Sequence, residues 1–154
     1  MKMNKKTYLI REYRSSDIDA VIALFKDTVY AINSKDYFFN QIEAWTNIDV
    51  NKWIETLEKN YSLVATIDEK IVGFGDMDDN DHLDRLYVHK DYQGLGIATS
   101  LCDKLEARAS KEISTFASIS AKGFFEKRGY STIKVQEVCR HGIYLTNYIM
   151  LKEL

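Results

Sequence analysis

Proline is missing from all 154 residues, glycine appears only seven times and cysteine twice. Without proline or clustered glycine there is no material for a linker, and no repeat occurs at solenoid periods. One domain over residues 1–154 is therefore expected, with turns made by Gly, Asn and Asp. Cys102 and Cys139 are too few for a zinc cluster and read as two reduced, buried thiols of a cytoplasmic protein. Excess positive charge is also lacking. Lys plus Arg is 21 against 23 for Asp plus Glu, a net charge of −2, which excludes a surface built to displace counterions from nucleic acid. No apolar run approaches the ~18 residues of a membrane span. The early lysines Lys2, Lys5 and Lys6 lead into Arg11-Glu12-Tyr13-Arg14 rather than into the apolar core of a secretory signal. Neither nucleic acid nor membrane is an expected partner. His82, His89 and His141 share no metal-ligand spacing, and no Gly-x-Ser-x-Gly elbow is present, so neither a metal nor a covalent acyl-enzyme is expected.

What the chain does have is 45% hydrophobic residues, 12% of all residues being aromatic, enough for a core that needs no staples. A β-like run Tyr8 to Tyr13 precedes Ile18, Val21, Ile22, Phe25, Val29 and Ile32, which lie on one helical face, with Ser16 and Asp19 near capping-box spacing. A second helical stretch holds Tyr37, Phe38, Ile42 and Trp45. A third, after Asp49, holds Val50, Trp53, Ile54 and Leu57. Strands are expected over Tyr61 to Ile67, Ile71 to Met77 and His82 to Val88, joined by short turns and hence antiparallel. A helix from about Leu95 to Ala109, a strand Ile113 to Ala117, a short helix around Phe124 to Lys127 and two closing strands complete the order. The last strand, Ile143 to Leu151, alternates Ile143, Leu145, Ile149 and Leu151. The composite is a mixed α+β layer with helices on a mostly antiparallel sheet.

Chemistry concentrates at the passage from strand to helix between Leu83 and Thr99. Gly94 and Gly96 permit backbone angles closed to other residues and put no side chain before the main-chain amides. The orphan N–H donors of the helix start, with the positive end of the helix dipole behind them, make an anion site of pyrophosphate type. A P-loop would need Lys after the last Gly, and a dinucleotide fingerprint would need Gly or Ala where Thr99 stands.

Gln93-Gly94-Leu95-Gly96-Ile97-Ala98 matches a Gln/Arg-x-x-Gly-x-Gly/Ala signature, and the whole chain resembles the GNAT superfamily of N-acetyltransferases. Asp84 to Val88, Phe124 to Tyr130 and Leu145 to Met150 resemble its YafP-like bacterial branch more narrowly. The resemblance implies a sheet of about seven strands with a splayed central pair at the cofactor cleft, acetyl-CoA (coenzyme A) as co-substrate, and direct transfer to a primary amine of a small molecule. It places the pyrophosphate on Gln93, Gly94, Leu95, Gly96, Ile97, Ala98 and Thr99, and the pantetheine arm on Leu86, Tyr87 and Val88. Ser118, Phe124, Phe125 and Lys127 would flank the cofactor's far side. Many members carry Asn and Tyr where this chain has Ser118 and Phe125, so the usual phenolic proton donor is absent, and Tyr37, Tyr87 and Tyr148 are the alternatives. The amide of Val88 or Tyr87 would stabilise the oxyanion. Asp84, where relatives place a glutamate, is read as base or amine anchor; the alternative is a surface pair with Arg85.

Trp45 and Tyr37 are the expected acceptor-pocket aromatics, with His82 and Asn147 as further substrate contacts. Asp76, Asp78, Asp79, Asp81 and Asp84 form either an acidic rim that draws in cations or a solvated turn. Two other functions stay open: a non-catalytic acyl-CoA-binding module, and acetylation of a protein or peptide amine. Pairing of the final strand with a second copy would give a homodimer; the same strand can equally end inside its own sheet.

Overall fold

The computed structural model describes residues 7–154, so Lys2, Lys5 and Lys6 lie outside it. Strand β1 (Leu9–Glu12) leads through a helical turn at 15–17 into α1 (Ile18–Ala31). The expected Ser16–Asp19 capping box does not form. Asp17 sets this entry instead: its carboxylate accepts from Arg14 N–H at 2.8 Å and from the Arg11 guanidinium at 2.8 and 2.9 Å. Helix α2 (Phe39–Thr46) starts two residues later than its pattern suggests, because Phe38 is extended and its N–H is taken by the Gln41 side chain at 2.7 Å. Tyr37 is thereby left off the helix. Asp49 caps α3 (Val50–Lys59) by accepting from Lys52 N–H.

Strands β2 (Tyr61–Ile67) and β3 (Lys70–Met77) form the expected hairpin, with Asp68 and Glu69 both at positive φ, the twist-matching two-residue turn. Next come β4 (His82–Val88), α4 (Ile97–Glu106), β5 (Glu112–Ser118), α5 (Lys122–Lys127), β6 (Ser131–Arg140) and β7 (Ile143–Glu153). The seven strands make one sheet in the order β1-β2-β3-β4-β5-β7-β6, antiparallel except for β4 against β5. That parallel pair is joined only at His82–Ser114 and Leu83–Thr115, after which the strands part, as the splayed architecture requires. A register shift in the β3–β4 ladder sets Met77 opposite Leu83 and Asp76 opposite Arg85, so Asp84 is the extra residue of a bulge where the parting begins.

Both faces of the sheet are covered. One packs Leu101, Leu105, Phe125, Tyr130 and Met150 beneath α4 and α5; the other packs Val21, Phe25, Ile42, Leu57 and Phe74 beneath the first three helices. Helix α4 comes this close because β3 carries glycines: a Cβ on Gly73 would meet Ile97 at 3.0 Å and one on Gly75 would meet Leu105 at 3.1 Å. Glu106 then ties three elements together, accepting from Arg128 Nε, Tyr130 O–H and Lys152 Nζ at 2.9, 3.0 and 2.7 Å. Its cationic partners hold its pKa below the ordinary carboxylate range against the opposing effect of burial.

The alternation expected of β7 does not separate inside from outside, since Leu145 and Met150 are both buried, in opposite layers. That strand is interior, between β5 and β6, and β6 is the sheet edge. Cys102 is buried as expected, whereas Cys139 on the edge strand is exposed, correcting the expectation of two buried thiols. No helix among the described residues is long and apolar enough to cross a membrane.

Candidate active site

Past Leu83, no strand among the described residues pairs with the side of β4 that faces β5. Because His89 N–H donates to Val72 O at 2.8 Å, the alternation of an antiparallel ladder turns the Tyr87 amide toward β3 and leaves the N–H and C=O of Leu86 and Val88 facing the gap. Gln93 Nε2 donates to Val88 O at 2.6 Å, so this side chain braces the turn against the strand end. The remaining groups of Leu86 and Val88 form a short free edge of the kind an amide-bearing chain can extend.

The turn itself is bare. Gly94 and Gly96 have φ of +75° and +83°, and Gln93, Gly94, Leu95 and Gly96 are exposed. Gly96 is the N-cap of α4, Ser100 N–H closes the first helical bond onto Gly96 O at 3.0 Å, and no capping side chain occupies the amides of Ile97, Ala98 and Thr99. Tyr8 steadies this corner through Ser100 Oγ at 2.6 Å. The residues present therefore suit a diphosphate: outward-facing donors, a helix of ten residues behind them, and no acidic side chain among residues 92–100.

On the opposite face of the gap lies a cavity of about 380 Å³ lined by Tyr37, Trp45, Asp84, Tyr87, Phe116 and Asn147, among others. A neighbouring cavity of about 460 Å³ shares Trp45, Asp84 and Tyr87 and adds Trp53, Arg85 and Lys52. The geometry brings Asp84, Tyr37, Tyr87, Trp45, Asn147 and Ser118 to one place. It leaves two expected residues elsewhere. His82 lies at the closed end of the β4–β5 pair, bonded to Ser114 Oγ at 2.8 Å and stacked on Phe116, outside the lining of both cavities. Tyr148 packs into the α4 layer under the Lys122 ammonium.

The two phenols that line the cavity differ in what their protons do. Tyr37 O–H donates to Thr146 O at 2.6 Å and accepts from Ile119 N–H at 2.9 Å, so it bridges β7 to the end of β5 and walls the cavity. Tyr87, packed against Phe25 and Phe74, donates to no group among the described residues, and burial pushes its pKa well above the ordinary phenol value, with the indole of Trp45 pulling weakly the other way. Phe125, in place of the family phenol, packs edge-on against Phe124 and Tyr130 and is buried. Phe124 is partly buried beside it, and Lys127 is exposed at the end of α5. Ser118 Oγ accepts from Ala121 N–H at 3.1 Å, and Asn33 Nδ2 reaches it at 3.4 Å.

Asp84 is 42% exposed at the bulge and pairs with Arg85 at 3.2 Å. Arg85 is held in turn by Thr56 Oγ1, by the face of Trp53 and by Asp76, whose carboxylate is 3.6 Å away. The acidic cluster is thus not one feature. Asp76 is wholly buried behind the site, Asp84 lines it, and Asp78, Asp79 and Asp81 line a separate cavity of about 650 Å³ with Arg14 and Arg108.

Phe116 and Arg140 were not singled out by sequence reasoning. A signal existed for Phe116: in the alternating strand Ile113 to Ala117 it is a large aromatic on the face opposite the buried positions. Arg140 enters the cleft only through the β6–β7 hairpin, and no local motif marks it.

A sheet split at one parallel pair, with a bare glycine-started helix at the split and a carboxylate-lined cavity behind it, is the framework of an enzyme that passes an acyl group across the sheet. Comparison with known proteins agrees. Residues 33–152 match the model of the acetyltransferase (GNAT) domain. Over 141 residues, 92% of this chain and 93% of the relative, the sequence is 36% identical to an uncharacterized N-acetyltransferase, YafP, of Escherichia coli strain K12. A GCN5-related N-acetyltransferase from Rhodopseudomonas palustris superposes with a TM-score of 0.92 at 34% identity, both chains being covered in full. The PaiA N-acetyltransferase of Thermoplasma acidophilum, solved in complex with coenzyme A, shares the fold at a TM-score of 0.75 and 19% identity, over 96% of this chain and 99% of that one. The chain belongs to the GNAT acetyltransferase family and is an acetyltransferase.

Proposed function

We propose that the enzyme transfers acetyl from acetyl-CoA to the primary amine of a small molecule, by direct attack with both reactants bound. The single observation that carries this reading is the gap beyond His82–Ser114 and Leu83–Thr115, open on one face to the bare amides of Gly96 to Thr99 and on the other to the Asp84 cavity. The amides of residues 94–99 hold the diphosphate, the free edge at Leu86 and Val88 aligns the pantetheine arm, and the thioester is thereby presented to the cavity. The Val88 N–H, facing the gap, is the oxyanion donor; the Tyr87 N–H is taken by β3. Holding both reactants in one geometry supplies much of the acceleration.

Asp84 anchors the incoming ammonium and receives its proton, directly or through water. Loss of the family phenol at Phe125 is tolerable. A thiolate with a reference pKa near 8.5 is a weaker base than phenolate, so a phenol held above its ordinary pKa stabilises the departing sulfur by donating a hydrogen bond without surrendering its proton. Tyr87 has the uncommitted hydroxyl for this, and Tyr37 keeps the acceptor wall in place. The cavity of about 380 Å³ and its neighbour of about 460 Å³ both fall within the range of small-molecule sites, which supports a small amine as acceptor. Thiol release from acetyl-CoA across a panel of amines, in wild type and Asp84→Asn, is the test. Amine-dependent release that falls at least tenfold in kcat/KM in the variant supports the assignment; unchanged turnover removes Asp84 from the mechanism, and coenzyme A binding with no turnover for any amine replaces the enzyme reading with a binding module.

A further inference from the structure

We infer that the acceptor is a zwitterion of amino-acid size, a primary amine that also carries a carboxylate, with Asp84 taking the amine and Arg140 the carboxylate. The inference rests on the transfer reading above and names its acceptor class.

The two cavities beside the gap share Arg140 as well as Asp84, Trp45 and Tyr87, so both ions belong to one cleft. The other ionic groups lining it are Asp49, Lys52 and Arg85. Asp49 is engaged as the cap of α3, and Arg85 is balanced by Asp76 and Asp84. Arg140 and Lys52 remain as two cations for which no acidic partner lies within ion-pair distance among the described residues. Asn147 adds the complementary feature: its Oδ1 is buried in the cavity wall and accepts no hydrogen bond. The cleft therefore holds a half-exposed carboxylate on β4, shared only with Arg85, and an unpaired amide oxygen on β7, facing cations without an acidic partner on β6 and α3. An ammonium answers the first set and a carboxylate the second, and guanidinium grips a carboxylate through two parallel bonds.

The backbone at Arg140 is held in position, and its side chain is exposed. Arg140 is the last residue of β6, opposite Ile143, and the turn that follows, His141 and Gly142 at φ of 49° and 79°, is clamped to the helical layer. His141 Nε2 meets Asn47 O at 2.8 Å, and Gln41 Nε2 donates to Tyr144 O at 2.9 Å. A polycation is disfavoured. The carboxylates that would attract one, Asp78, Asp79 and Asp81, line a different cavity, and the cleft would set Arg140 and Lys52 against its additional charges.

The test uses matched pairs that differ only by the carboxylate: L-phenylalanine with phenethylamine, L-methionine with 3-(methylthio)propylamine, L-lysine with cadaverine, and spermidine besides. Thiol release and product mass are followed with wild type, Arg140→Gln and Arg140→Lys. Amino acids should exceed their decarboxylated partners by about tenfold or more in kcat/KM, as expected for a charge-assisted bidentate contact. That ratio should fall toward one in Arg140→Gln and be partly kept in Arg140→Lys. Equal or faster turnover of the plain amines or spermidine overturns this inference while leaving the transfer reading intact, as does a loss in Arg140→Gln that is equal for both members of a pair. If calorimetry shows acetyl-CoA bound and no member of the panel is acetylated, both readings fall together.

Discussion

Replacing Asp76 by Asn should remove a loss of stability that wild type suffers as pH rises toward 8. Asp76 is wholly buried in β3; one carboxylate oxygen accepts from Asn60 at 3.0 Å and stands 3.6 Å from Arg85, and the other has no partner. Burial pushes its pKa up from 3.8 to about 7, and the charge of Arg85 offsets this only in part. A carboxyl whose pKa is higher folded than unfolded contributes stability that is complete below the unfolded value and lost as pH rises through the folded value. For a rise of this size the contribution is about 4 kcal/mol, of which about 3 kcal/mol disappears between about pH 5 and pH 8. Asn keeps the shape and cannot ionise, so the stability of Asp76→Asn relative to wild type should climb by about that amount over the same interval. Urea unfolding of both proteins at several pH values measures it. A difference that stays flat from pH 5 to 8, or that favours wild type as pH rises, would mean that Arg85 keeps Asp76 ionised throughout and would refute the reasoning.

Tyr37→Phe removes a donor to Thr146 O and an acceptor for Ile119 N–H, which should cost about 1–3 kcal/mol in unfolding measurements; kinetically it should raise KM for the amine more than for acetyl-CoA. Glu106 titrates with the opposite sign to Asp76. Its pKa is lowered on folding, so its stabilisation is present above about pH 4.5 and lost as pH falls through the folded value. The melting-temperature deficit of Glu106→Gln should accordingly be large at pH 7 and shrink in acid.

Much of the frame was legible because it is carried locally. The run Tyr61 to Met77 reads as a hairpin from its turn residues and apolar spacing, and the two glycines of Gln93 to Thr99 read as a turn leading into a helix; both elements stand where expected. Errors arose where tertiary partners decide. Asp76 looks like one more acid in a polar stretch, yet Asn60 and Arg85 allow it to be buried. In β7, alternation sets Ile143, Leu145, Ile149 and Leu151 on one side, but helices cover both faces of the sheet, so Leu145 and Met150 are buried on opposite sides. Half the acceptor cleft comes from β6 and β7, whose Gln136, Arg140 and Asn147 face Asp84 only after the chain has crossed the sheet. Spacing along the sequence carries no trace of that approach.

In the proposed mechanism, the amides begun by Gly96 hold the diphosphate of coenzyme A. Gly96 sits at φ +83°, and a Cβ there would approach only the Tyr8 hydroxyl, at 3.6 Å. Substitution by Val should therefore destabilise through the backbone alone, by about 1–2 kcal/mol, or more for a branched side chain, lowering Tm by roughly 2–8 °C in a chain of this size. The side chain would also stand before the bare amides. Titration calorimetry of coenzyme A into wild type and into Gly96→Val, run well below both melting temperatures, separates the two effects. Binding by wild type and at least a tenfold weaker affinity in the variant are expected; no uptake by wild type, or equal affinity in both, would rule out a diphosphate site at these amides.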